Sequence, residues 1–88
     1  MLTMPPTLTH ANASTCVAQW LTQLPVGDGQ VVQLGGGALE RFDSSALSAV
    51  LALRRHLAGR DQTLECIDLP PRLGELATLY GVDEWLAA

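Results

Sequence analysis

No lysine occurs anywhere in this sequence, and the five basic residues are all arginine: Arg41, Arg54, Arg55, Arg60 and Arg72. Against nine acidic residues they leave a net charge of −4. Five scattered arginines in an acidic chain make no basic stripe, so nucleic-acid binding is not expected and direct membrane insertion or adhesion is disfavoured. The missing lysine also removes the phosphate loop GxxxxGK[ST], and GxGxxG is absent. The run Gly35-Gly36-Gly37 therefore reads as a turn after a strand, not a nucleotide cradle. Cysteine is scarce. Cys16 and Cys66 sit in apolar surroundings without CxxC or Cys/His spacing, which predicts buried free thiols and no metal site. No apolar run approaches the ~18 residues that a bilayer span needs. Met1 to His10 lacks the basic opening of a signal peptide, so a cytoplasmic location is expected.

What is present bounds the rest. Eighty-eight residues make room for one compact domain, residues 1–88, without a second core. A domain of this size buries only ~60% of its unfolded surface, so partner contacts add usefully to its stability. The hydrophobic share is 48%, with a mean hydropathy of +0.21. That is rich for a free monomer and implies apolar surface turned toward a partner. Catalytic groups are not assembled. His56 falls on the polar side of its helix, His10 ends a short strand, and Asp83-Glu84 reads as a solvated terminus. No enzyme activity and no cofactor are expected.

Periodicity divides the chain into alternating strands and helices. Met1 to Pro6 reads as a loose lead ending at Pro5-Pro6. Thr7 to His10 alternates as a strand, and Asn12 or Ser14 caps a helix to Leu24, its inner face Val17, Trp20, Leu21 and Leu24. Pro25 and the Gly27-Asp28-Gly29 turn lead to a buried strand, Val31 to Leu34. A strong helix runs from Asp43-Ser44-Ser45 to Ala58 and stops at Gly59. Thr63 to Ile67 is the next strand. Asp68 caps a last helix entered through Pro70-Pro71, its inner stripe Leu73, Leu76, Ala77 and Tyr80, closed by Gly81. Asp83 to Ala88 adds one more turn carrying Trp85 and Leu86. The order predicts an α/β domain: a small mixed, mostly parallel sheet with helices packed against it.

The most informative segment is Arg41-Phe42-Asp43-Ser44-Ser45-Ala46-Leu47. A serine at a helix N-terminus meets free backbone N–H groups and the positive end of the dipole, which favour an anion or a phosphorylated hydroxyl. Asp-Ser-Ser before an apolar helix is equally an ordinary cap. Along this helix Ala46, Val50, Leu53 and Leu57 share the face toward the sheet. Leu47 and Leu51 lie to one side with Ser44 and Arg54, an arrangement suited to docking or to packing under a neighbouring helix.

The stretch RFDSSALSAVLAL, Arg41 to Leu53, resembles the signature of STAS domains, the family of anti-sigma-factor antagonists. There an Asp-Ser/Thr-x-Gly-Leu turn opens the helix and carries a phosphorylated hydroxyl, which corresponds here to Ser44. VVQL, TLECID and the helix ending LATLYGV follow in the same order, so the resemblance covers roughly Gln30 to Val82. The ending Leu76 to Val82 is similar to a narrower branch, the STAS subunit of Mla-type phospholipid-transport ABC complexes of Gram-negative bacteria. Two departures stand out: Ala46 replaces the family's glycine, and the N-terminal strand region is shortened. The resemblance implies a non-enzymatic subunit that binds and regulates or stabilises a cytoplasmic ABC ATPase, and through it a permease, in a complex that maintains outer-membrane lipid asymmetry. It would then be cytoplasmic and peripheral to the inner membrane. The alternative it implies is an anti-sigma factor antagonist, switched by phosphorylation of Ser44 and partnered by an anti-sigma kinase. In either case Asp43, Ser44, Ser45, Leu47, Leu51 and Arg54 are the expected contact residues.

Overall fold

Alternation of burial from Val31 to Leu34 decides the central strand. In β3 (Val31–Gly35) Val32, Leu34 and Gly35 are buried while Val31 and Gln33 face outward. The computed structural model, which describes residues 1–86 apart from the Trp85 side chain, places β1 (Leu2–Thr3) and β5 (Thr63–Ile67) on either side of β3 in the order β1-β3-β5. A second, two-stranded sheet joins β2 (Thr7–Leu8) to β4 (Arg41–Phe42). All three strand pairings among the described residues are parallel. The small α/β architecture anticipated from the alternation is observed, but with two all-parallel sheets in place of the single mixed sheet expected. Its N-terminal strands are short, two residues each.

Helices α1 (Ala13–Leu21), α2 (Ser45–Ala58) and α3 (Pro71–Leu79) are followed by a 3₁₀ turn over Asp83–Leu86. The core lies between the helices and the sheets. Ala46, Val50, Leu53 and Leu57 of α2 reach it together with Leu8, Leu34 and Leu73, each at most 1% exposed. Pro71 occupies the first turn of α3, where its missing N–H costs nothing. Gly81, with φ of +71°, follows the last turn in the left-handed conformation that ends helices.

Several local expectations are corrected. Met1 to Pro6 is not a loose lead, because Leu2 and Met4 are core residues and backbone bonds tie this segment down. Met4 N–H donates to the Gly35 carbonyl at 2.8 Å, and the buried Trp20 indole donates to the Thr3 carbonyl at 2.9 Å. The first helix ends at Leu21, not Leu24, where Thr22 turns its hydroxyl and N–H back to the Gln19 carbonyl. Asn12 occupies the start of α1 without capping it. Its amide turns instead to Thr9 N–H and the Thr7 carbonyl. Asp68 does not cap α3; it takes φ of +55° in the preceding turn, and Pro70 stands at the cap position. Tyr80 is not on an inner stripe but 59% exposed. The expected contributions of residues 87–88 and the Trp85 side chain lie outside the described residues.

Within the triple glycine, Gly36 has a packing reason. A Cβ on Gly36 would stand 2.8 Å from Leu69 Cδ2 and 3.2 Å from Leu69 Cα, so only glycine lets the β3 and β5 exits approach this closely.

Candidate partner-binding site

The turn that opens α2 is built by Asp43. One carboxylate oxygen accepts the Ser45 N–H at 2.8 Å. The other accepts the His10 N–H and meets His10 Nδ1, each at 3.2 Å. The Ser45 N–H, with smaller help from the His10 ring, the His10 N–H and the Ser45 hydroxyl, lowers the Asp43 carboxyl to about 2. These bonds favour the charged form and together outweigh desolvation, which raises the carboxyl and is exceeded singly only by the Ser45 N–H bond. Asp43 is therefore ionised at any physiological pH.

Ser44 is left free by this arrangement. It occupies the cap position with helical backbone angles, makes no side-chain cap bond, and is exposed. Its hydroxyl is the accessible polar group at the positive end of α2.

Beside it runs an open groove of about 530 Å³ between this turn and α3, lined by Phe42, Ser44, Arg72, Glu75, Leu79 and Tyr80 among others. Phe42 lines it, with the Arg72 guanidinium 5.7 Å from the ring centroid, inside cation–π range. Leu79 is 81% exposed and stands on the groove wall with Tyr80. An arginine and two large solvent-facing apolar side chains share this surface with Asp43, Ser44 and Glu75, and the exposed apolar pair with Arg72 is the part suited to an interface.

The other anticipated contact residues are distributed along α2. Asp43, Ser44 and Ser45 form one turn, with Asp43 and Ser44 on the groove itself. Leu47 is 3% exposed and belongs to the core cluster, so its side chain offers a partner almost no surface. Leu51 is half-buried, about two helical turns from Ser44. Arg54 donates to the Glu84 carbonyl at 3.4 Å and so ties α2 to the 3₁₀ turn. The groove residues Phe42, Arg72, Glu75, Leu79 and Tyr80 were not anticipated. Leu79 was legible: at about 100° per residue it falls opposite Leu73 and Ala77, a lone large apolar residue on a polar face. Tyr80 was not, because it sits at the helix end, where periodicity stops governing direction.

Cys16 is buried and Cys66 half-buried, and both are free. Burial raises both thiols, with Arg54 partly opposing this at Cys66, so neither is a ready thiolate. Among the described residues no group of three metal-ligating side chains occurs, and no helix is long and apolar enough to cross a membrane.

Parallel strands, helices packed against them and a serine turn opening the longest helix define a small α/β domain of the STAS type. A family model described as "Mlab, STAS domain" matches residues 3–87, and the chain belongs to this STAS family, of the MlaB type. Comparisons with curated proteins and with solved structures found no match.

Proposed function

We propose that this chain is a non-enzymatic regulatory subunit that docks on the cytoplasmic ATPase of a Mla-type phospholipid-transport ABC complex. It is held at the inner membrane through that complex and its permease, and supports outer-membrane lipid asymmetry. The observation that carries this reading is the free Ser44 hydroxyl opening onto a groove edged by Leu79 and Tyr80. Membership of the MlaB-type family supports it. The docking surface consists of the Asp43-Ser44-Ser45 turn, the groove toward α3, and Leu51 further along α2. Ser44 meets the partner at the helix start, and the exposed apolar pair supplies the desolvated centre that such contacts need.

Co-purification from the native organism tests this. A tagged chain brings down an ABC ATPase and an integral permease, and Ser44→Glu loses both. The free, exposed Ser44 hydroxyl also favours a second reading, an anti-sigma factor antagonist switched by phosphorylation. Recovery of a histidine-kinase-like ATP-binding protein in place of the transporter subunits would select that reading.

A further inference from the structure

β5 is one of the two edge strands of the three-stranded sheet, and among the described residues no strand pairs with its outer side. Its ladder to β3 fixes which backbone groups face out. Thr63 N–H donates to the Gln30 carbonyl at 3.0 Å, and the Ile67 carbonyl accepts Gly36 N–H at 2.8 Å. Alternation along a parallel ladder then turns Thr63, Glu65 and Ile67 toward β3, and the N–H and C=O groups of Leu64 and Cys66 outward. None of the five β5 residues is buried, in contrast to the central strand. Leu64, Cys66 and Ile67 are half-exposed along this edge.

Open edges are usually blunted by charges, proline or bulges. Here the strand has no proline, and its one charged residue, Glu65, stands at the midpoint. Gln33 Nε2 donates to Glu65 Oε1 at 2.9 Å and holds the carboxylate in place on the outer face of the sheet. Leu64 and Cys66 lie on the opposite face with Val32 and Leu34, toward the helices and Arg54. Self-pairing meets this charge directly. The antiparallel two-fold register that uses every outward group sets Leu64 against Cys66 of the second copy. It therefore centres on Glu65 facing Glu65. Like charges directly opposite are destabilising, whereas a cation in that place is favoured. The same carboxylate turns away a second copy and selects a basic strand.

We propose that the outer edge of β5 binds an extended segment of a partner protein that carries arginine or lysine opposite Glu65, flanked by apolar residues. The backbone groups of Leu64 and Cys66 supply the pairing, and Glu65 supplies the selectivity.

The chain itself provides the probe, because Glu65→Arg places a cation at the centre of an otherwise identical strand. Wild type and Glu65→Arg are each monomeric alone. Mixed, they form a species of twice the 9.4 kDa chain mass in light scattering. Hydrogen exchange then shows new protection at the Leu64 and Cys66 amides. Leu64→Pro removes an outward donor without touching the β3 ladder, and placed in either partner it abolishes the heterodimer. No heterodimer from two folded partners, or one that leaves these amides unprotected, overturns the proposal. If Glu65→Arg fails to fold, Glu65→Gln decides. It retains an acceptor for Gln33 and relieves the repulsion, so concentration-dependent self-association through the same amides supports the proposal, and a persistent monomer overturns it. None of these readouts involves the Ser44 groove.

Discussion

Asp43, not Ser44, closes the first turn of α2, by accepting the Ser45 N–H at 2.8 Å. The division of labour matters because the two residues are adjacent and the sequence alone assigns either to the cap. Ser44→Ala therefore leaves stability almost unchanged, within the ±0.5 kcal/mol typical of surface substitutions. Asp43→Ala lowers the thermal midpoint measurably, since Ser45 N–H loses its acceptor. Paired melts of the two variants check the ranking; equal losses would restore the cap to Ser44.

Acid titration reads the same carboxylate. Its folded pKa, about 2, lies below the ordinary 3.8, so the unfolded chain binds the proton first. The stabilisation from Asp43 is thus fully present above about pH 4 and is lost as pH falls toward 2. Asp43→Asn has no such proton to bind and shows a flatter stability curve across that window. Urea midpoints measured from pH 5 to pH 2 in both proteins make the comparison.

Gly36→Ala tests the close approach of the β3 and β5 exits. The added Cβ would lie 3.2 Å from Leu69 Cα, a backbone atom that cannot swing aside as the 2.8 Å Cδ2 contact can. Overpacking of this kind costs about 1–3 kcal/mol. A lower urea midpoint at unchanged m-value is the expected record.

Trp20→Phe probes the short N-terminal strand. The indole is 2% exposed and donates to the Thr3 carbonyl at 2.9 Å. Losing that donor and some ring volume costs about 1–3 kcal/mol. The loss is local, so the Met4 amide, bonded to Gly35, exchanges faster before the rest of the sheet opens. Uniform exchange across the molecule would show that β1 is not held by this contact.

Helices and the longer strands were legible because their signals are local. Ala46, Val50, Leu53 and Leu57 repeat at helical spacing, and Val32 and Leu34 alternate in β3. β1 and β4 were not, because two residues carry no period. Leu2-Thr3 becomes a strand through Gly35 and Trp20, both far away in sequence. The Asp43-Ser44-Ser45 turn was visible as a motif, but who caps and who is free depends on which oxygen points at Ser45. The His10 contribution to Asp43 spans 33 positions and leaves no sequence signature. Leu47 shows the limit of a helical wheel. It placed this residue on an edge, but the helix packing around α2 buries that edge at its first turn.

Leu79 and Tyr80 give the docking surface its sharpest test. Both are exposed in the free domain, so Leu79→Ser and Tyr80→Ser should shift stability by no more than about 0.5 kcal/mol. If they anchor a partner, truncating either costs about 2 kcal/mol of binding, roughly a 30-fold rise in Kd. Ser44→Glu is expected to produce the same split, because a charged group must be desolvated in the contact while the dipole of α2 tolerates it in the free domain. Leu47→Ser must differ in kind. It opens a hole in the core and lowers the thermal midpoint, with binding affected only through folding. Pull-down of the ATPase alongside melting curves separates the two classes. Normal assembly by Leu79→Ser, Tyr80→Ser and Ser44→Glu together would remove this groove from the interface, whatever the partner.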